Sequence, residues 1–241
     1  MTVSVKRTIP VSTRLLSEAV WSRLFEHAAP RRLDRGAAVD NALGGLDTLR
    51  VQAQYNTGSI GTAAQWALYA LAYLWRPDVV AEIGTFIGKS TLALALGAEA
   101  AGVNAEVHTC DVSNQFDLPA DLTRCALVQY PGTPSTQMLA EMIEDGFAGR
   151  VDLFHFDGRL QNEDLGHVAA LASKDAIVVL DDFEGVEKGV ANLFKLRSAQ
   201  LFKEHLCVYP PSETLLRRLG FWDHATCALM VPRSHVEFTA Q

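Results

Sequence analysis

Three aspartates and a pair of glycines carry the chemistry of this chain. Val79 to Ser90 reads V-V-A-E-I-G-T-F-I-G-K-S, a β-branched apolar run that gives way to Glu82, Gly84, Gly88 and the hydroxyl of Ser90. A turn of that kind, from a buried parallel strand into a helix, offers backbone N–H groups and close backbone approach, the means by which α/β proteins cradle nucleosides and nucleotides. Further on, V-D-L-F-H-F-D ends at Asp157, and A-I-V-V-L-D-D ends at Asp181 and Asp182. If the two runs are neighbouring strands, their tips bring three carboxylates to one edge of the cleft. Such a set is self-repelling without a cation and suits Mg2+, Mn2+ or Ca2+. The competing reading has Asp182 capping the next helix and Asp181 facing water.

Two chemistries compete for the glycine turn. As E-x-G-x-x-x-G-x-S it suits the amino-acid and ribose end of S-adenosylmethionine, while its tail, G-K-S, imitates a phosphate-binding P-loop. A P-loop sets its first glycine one residue further from the G-K-[ST] end, so that successive amides wrap a phosphate. Here only Thr85, Phe86 and Ile87 separate Gly84 from Gly88. Glu82 is also poorly placed beside a triphosphate and well placed to meet an ammonium group. The dinucleotide pattern G-x-G-x-x-G fails because Phe86 stands where its second glycine belongs. The spacing favours the methyl donor.

The elements that must position these residues are legible as an alternation. Strand-like runs fall at Val79 to Ile83, Glu106 to Cys110, Ala126 to Tyr130, Val151 to Phe156 and Ala176 to Leu180. Helical stretches lie between them, at Lys89 to Ala101, Ser135 to Phe147, Glu163 to Ala172 and Val186 to Gln200. Strands alternating with helices imply βαβ crossovers and a mainly parallel sheet, which binds ligands at the carboxyl ends of its strands. Two later strands, His205 to Tyr209 and Thr226 to Val231, flank a short helix from Ser212 to Leu219 and read as a hairpin-like pair. Ahead of the body, Gly61 to Trp75 forms a long helix stopped by Arg76-Pro77. An N-terminal helical segment, residues 1–54, precedes the domain at 55–241; Ser12 caps a helix with Leu15, Leu16, Ala19, Val20 and Leu24 on one face, ended by Pro30. Such a helix packs on the body, on the mate in a homodimer or over a substrate mouth.

Composition narrows the classes. With 49% apolar residues in 241, the chain can bury one sizeable core. Its net charge of −7 and lack of a basic face argue against nucleic-acid binding. Cys110, Cys125, Cys207 and Cys227 show no C-x-x-C spacing and lie in or beside apolar runs, as buried thiols do. The first residues lack a signal-peptide core, and the longest apolar run, Trp66 to Trp75, is too short for a bilayer; a cytoplasmic protein without a membrane partner is expected.

Strand tips carry the remaining candidates. H-T-C-D places Asp111 at the end of the second strand, where it suits both ribose hydroxyls or, with Ser113, an Asx turn. Y-P-G-T-P-S, Tyr130 to Ser135, can present backbone groups to an adenine edge or simply begin a helix.

Taken in order, E-I-G-T-F-I-G-K-S, H-T-C-D, Y-P-G-T-P-S, D-L-F-H-F-D-G and I-V-V-L-D-D resemble the class I S-adenosylmethionine-dependent methyltransferases, in particular small-molecule O-methyltransferases related to catechol and macrocin O-methyltransferases. The resemblance spans Tyr55 to Val231. It implies a Rossmann-like seven-stranded sheet with helices on both faces and the last strand antiparallel. It further implies that Glu82, Gly84, Thr85, Phe86, Gly88 and Ser90 surround the methionine part, that Asp111 holds the ribose, that Gly132 to Ser135 meet the adenine, and that Ser59 and Ile60 cover the donor. Asp157 would border the donor and the reacting oxygen, and with Asp181 and Asp182 would hold Mg2+ or another divalent cation that binds the acceptor's hydroxyls and lowers their pKa.

The chain departs from that pattern at Leu160, where those enzymes place a Lys or His three positions after the matching aspartate. Arg159 is too basic to be an ordinary general base, though it can pair with an acidic acceptor. His155 reads as a satisfied core histidine. The expected activity is O-methylation of a small-molecule hydroxyl with divalent assistance. The alternatives are a P-loop-like NTPase or small-molecule kinase, in which I-V-V-L-D-D is a Walker B strand, and a catalytically silent S-adenosylmethionine-binding protein. Trp21, Phe183, Phe221 and Trp222 are candidates for the acceptor pocket or the core.

Overall fold

Val79–Ile83 is buried at every residue, Glu82 included, because a parallel strand covered by helices on both faces has no solvent side. It is β1, an inner strand of the sheet in the computed structural model, which describes residues 17–25, 60–113, 118, 120–184, 186 and 188–235. The other strands are β2 (Glu106–Asp111), β3 (Ala126–Pro131), β4 (Val151–Phe156), β5 (Ala172–Leu180), β6 (His205–Val208) and β7 (Ala228–Pro232). They form one seven-stranded sheet in the order β3-β2-β1-β4-β5-β7-β6. β1 to β5 run parallel, and β7 is antiparallel to both β5 and β6. The last two strands are therefore neighbours, as the sequence suggests.

Helices cover both faces. Residues 17–25 form α1; then come α2 (Thr62–Trp75), α3 (Lys89–Ala100), α4 (Ser135–Glu144), α5 (Asp164–Leu171), α6 (Gly189–Ser198) and α7 (Glu213–Arg218). Side-chain alternation along β1 sends Val80 into one core with α1, α2, α3 and α7, and Val79, Ala81 and Ile83 into another with α4, α5 and α6. Two apolar layers thus clamp the sheet and hold its strand tips in fixed positions.

Three features lie beyond sequence patterning. Asp223 caps α2 from the far end of the chain, its Oδ1 accepting from Ala63 N at 3.1 Å, and a side chain at Gly61 would collide with it. β5 starts at Ala172, not Ala176: Ala172, which the sequence assigns to the end of the preceding helix, pairs with Val151 before the register shifts. Finally, α1 docks on the body, with Trp21 fully buried, its Nε1 donating to Tyr209 O at 2.6 Å and Tyr209 N donating to Ser17 Oγ at 2.9 Å. Phe25 meets Phe221 at 5.4 Å between ring centroids. Trp21 and Phe221 belong to the core, whereas Trp222 is 85% exposed. Ser12, Leu15, Leu16 and Pro30 lie outside the described residues. No helix among the described residues is long and apolar enough to cross a membrane.

The strand order reverses at β1, whose following crossover leads to β2 on one side while β4 lies on the other. Such a reversal is where open α/β sheets bind their ligands, at the carboxyl ends of the strands, here β1 and β4.

Candidate functional site

The glycine loop after β1 is tied to both neighbouring strands. Gly84 N and Thr85 N donate to Cys110 O at 2.9 and 3.2 Å, Phe86 N donates to Asp111 Oδ2 at 2.8 Å, and Gly88 N donates to Thr85 O at 2.8 Å. On the other side Asp157 N and Gly158 N both donate to Ile83 O, at 2.9 and 2.8 Å. Gly84 has φ +102, and a Cβ there would stand 3.0 Å from the backbone of Asp157 and Gly158. Only glycine allows that approach. Phe86, with φ 47, is a bulky residue in the left-handed region, local strain of the kind that clusters at binding loops. Four amides of the loop are thus spent inside the protein, which leaves a poor cradle for phosphoryl oxygens.

Glu82 faces the interior. It is fully buried, its Oε1 2.8 Å from His155 Nδ1 and its Oε2 accepting from Thr109 Oγ1 at 2.7 Å and from Thr91 Oγ1, while Ser90 also hydrogen-bonds it. Thr85 Oγ1 meets Thr109 Oγ1 beneath the loop. Burial works against the charge of Glu82, yet the His155 hydrogen bond and charge, with the hydroxyls, hold its carboxyl below the ordinary value. Burial likewise opposes the imidazolium, but Glu82, then Asp181 and Asp157, hold His155 above its ordinary value. Where the sequence reading sets Glu82 to meet an ammonium in the cleft, the structure places its carboxylate among internal donors beneath the loop. Thr85 and Ser90 are buried with it, so what this loop offers a ligand is mainly backbone.

At the tip of β2, Asp111 makes the Asx turn that its sequence allows and also tethers the glycine loop. Oδ1 accepts from Ser113 N at 2.8 Å, the Asx turn, and Oδ2 holds the glycine loop through Phe86 N. The carboxylate remains partly exposed at the strand end, with lone pairs for further donors. Next to it, Gly132 (φ +66) donates to Ser113 O at 2.8 Å, and Thr133 N donates to Asp111 O at 3.0 Å. Pro134 is the N-cap of α4, and Ser135 Oγ donates to the buried Asp164 at 2.8 Å, so the Ser135 side chain is committed to the α4–α5 contact. Ile60 is half-buried just before α2. Ser59 lies outside the described residues.

β4 and β5 do bring Asp157, Asp181 and Asp182 together, and with them a residue that sequence spacing did not single out. Lys188 Nζ stands 2.6 Å from Asp182 Oδ2 and 3.2 Å from Asp157 Oδ1. Asp182 adopts the left-handed region (φ 50), which Asp tolerates better than most residues. Asp181 is buried, its Oδ1 accepting from Asp182 N and Thr226 Oγ1, each at 2.8 Å, and its Oδ2 lying 3.9 Å from His155 Nε2. Burial, then the charge of Asp181, pushes the Asp157 carboxyl up to about 7, against the pull of Lys188 and His155. Burial would pull Lys188 down, but Asp157 and Asp182 outweigh it and hold the ammonium above its ordinary value. Asp182 is the closer partner, so Asp157 has the weaker hold on its charge.

This disposition does not fit a divalent cation. The ammonium fills the gap between Asp157 and Asp182, Asp181 is turned to Thr226 and the Asp182 amide, and among the described residues no group of three His, Cys, Asp or Glu side chains is placed to hold a metal. The expected set, Asp157, Asp181 and Asp182, is thus gathered at the strand tips with an ammonium between two of its members.

The absence of a base at position 160 has a packing reason. Leu160 is fully buried; its N–H donates to Asn192 Oδ1 at 3.0 Å, and its carbonyl accepts from Lys195. Asn192 Nδ2 donates to Gly158 O at 2.8 Å, so this buried amide clamps the turn after β4. Arg159 is exposed on that turn. Lys188 reaches the carboxylates because Gly189 starts α6 against β5: a Cβ there would lie 2.4 Å from Asp181 O. A lysine followed by a glycine at a helix start, seven residues after Asp181, was the available signal.

Comparison with known proteins bears on the same elements. Residues 81–183 match the family described as "Methyltransferase domain". An O-methyltransferase from Bacillus cereus, solved in complex with SAH, shares the fold at a TM-score of 0.56 and 13% identity over 88% of this chain and 97% of that one. The O-methyltransferase TomG from Streptomyces achromogenes, involved in tomaymycin synthesis and solved in complex with SAM, superposes at 0.58 with 17% identity over 79% of this chain and 89% of that one. No curated protein matches the chain by sequence. Residues 81–183 thus match a methyltransferase domain family, and the strand order with the glycine loop at the topological switch is the fold shared with these solved O-methyltransferases.

Proposed function

We propose that this chain transfers the methyl group of S-adenosylmethionine to a hydroxyl oxygen of a small-molecule acceptor. The observation that carries the reading is the glycine loop itself: its amides are bound to the tip of β2 and within the loop, and it lies between Asp111 and the close-packed backbone of Asp157. The backbone from Gly84 to Ser90 holds the methionine part, Asp111 accepts from the ribose hydroxyls, the turn from Gly132 to Ser135 borders the adenine, and Ser59 and Ile60 close over the donor.

In the transfer, the acceptor oxygen attacks the methyl carbon in line with the sulfonium. The S–C bond breaks, its electron pair returns to sulfur to give S-adenosylhomocysteine, and the hydroxyl proton passes to Asp157. With its carboxyl pushed up to about 7, Asp157 suits proton acceptance near neutrality better than an ordinary aspartate. Much of the acceleration comes from holding the two reactants in line. Arg159, exposed beside the cleft, suits an acidic acceptor. The net charge of −7 supports the absence of a nucleic-acid partner, and a cytoplasmic location, a homodimer and no membrane partner complete the reading.

Leu160 in the core favours a second reading, donor binding without turnover, because the usual base position is filled by packing. Incubation with methyl-labelled S-adenosylmethionine and a panel of phenols, catechols and sugar hydroxyls separates the two. Stoichiometric S-adenosylhomocysteine and methylated product support transfer; donor binding with no product across the panel supports the silent protein.

A further inference from the structure

The carboxylate cluster at the tips of β4 and β5 has its own cation. We propose that the Lys188 ammonium permanently occupies the seat between Asp157 and Asp182 that a divalent ion would need, and that it presents a positive charge to the acceptor's oxygen in a metal-independent site.

Three observations carry this. The ammonium contacts one oxygen of each carboxylate, at 2.6 and 3.2 Å, so a second cation on those oxygens would meet it at close range and be repelled. The lysine is held there by the fold: Gly189 lets α6 begin against the carbonyl of Asp181, a contact that any Cβ would break. The third carboxylate has been withdrawn, since Asp181 is buried and bonded to Thr226 and the Asp182 amide. An ammonium has three donors, and the two aspartates account for two of them; the acceptor oxygen takes the third. Lysine acts here as a point charge that orients and stabilises a developing oxyanion. The acceptor role rests on the methyltransferase reading, whereas exclusion of a divalent ion does not.

The test is Mn2+ binding followed by electron paramagnetic resonance on the full chain, with neither donor nor acceptor present. Wild type should leave Mn2+ free up to about 1 mM, Lys188→Arg should do the same, and Lys188→Gln should bind one Mn2+ at least about tenfold more tightly. One Mn2+ per wild-type chain with a Kd under about 100 μM, lost in Asp182→Asn, overturns the proposal. So does a folded Lys188→Gln, verified by circular dichroism, that binds no better than wild type. S-adenosylhomocysteine binding, measured separately, fails only if the methyltransferase reading fails.

Discussion

At the β1–β2 end of the cleft the polar side chains point inward and the backbone does the presenting, whereas at the β4–β5 end Asp157, Asp182 and Lys188 stand partly exposed as side chains. The two ends meet through one carbonyl, Ile83 O, which accepts from both Asp157 N and Gly158 N. The difference follows from what each end must do. A donor of fixed shape is best held by a rigid loop whose polar groups are satisfied before it arrives, so no reorganisation is needed on binding. Proton transfer needs a carboxylate that is not fully satisfied. In the proposed transfer that group is Asp157, shared loosely with Lys188 while Asp182 takes the closer contact.

If the donor end is a pre-satisfied scaffold, breaking its buried anchor should damage folding more than anything else in the cleft. Glu82→Gln leaves His155 buried beside a neutral partner, and chemical denaturation should show a loss of about 3–5 kcal/mol. The pH dependence sharpens this. With Glu82 lowered, its contribution is present above the ordinary value of 4.5 and is lost as pH falls through the depressed value. With His155 raised, its contribution is full below 6.5 and is lost as pH rises through the elevated value. The gap between wild type and Glu82→Gln should therefore be widest near pH 4.5 to 6.5. A constant gap from pH 4 to about 9 would show that the pair is not ionised.

Breaking the acceptor end should do the opposite, sparing both fold and donor. Asp157→Asn should lower kcat on the order of 10²–10⁴-fold while S-adenosylhomocysteine affinity holds. In the wild type, kcat/KM should rise as pH passes through about 7, because Asp157 accepts a proton only once it is deprotonated. Asp157→Asn should lack that rise. A parallel loss of donor affinity and kcat in the variant would erase the distinction between the two ends.

A smaller effect comes from Asp111, which belongs to the donor end but is partly exposed. Asp111→Ala removes both the predicted ribose partner and the acceptor for Phe86 N, and calorimetry should show donor binding weaker by about 1–3 kcal/mol. An unchanged dissociation constant would leave Asp111 as only the Asx turn and loop tether.

How much of this was legible in the sequence depended on the range of the interaction. Strand tips were readable because alternation and apolar runs place them, so the glycine loop, Asp111, and the meeting of Asp157 with Asp181 and Asp182 followed from local pattern alone. Which way a carboxylate turns was not. Glu82 turns inward because Thr109 and His155, from strands on either side of β1, converge on it, and no spacing within E-I-G-T-F-I-G-K-S encodes that. Lys188 escaped notice for the same reason: its place beside Asp157 depends on α6 approaching β5 at Gly189. Asp223, on α2, is capping across 160 residues. Ala172 to Asp175 carry little strand signal of their own, and their place in β5 depends on the pairing of Ala172 with β4.

The central claim is that the loop between Ile83 and Ser90 grips a sulfonium nucleoside. Isothermal titration calorimetry of the full chain with S-adenosylhomocysteine and, in parallel, with ATP and Mg2+ tests it most directly. The account predicts single-site binding of S-adenosylhomocysteine in the micromolar range and no heat from ATP beyond dilution. Saturable heat with ATP and none with S-adenosylhomocysteine would contradict it.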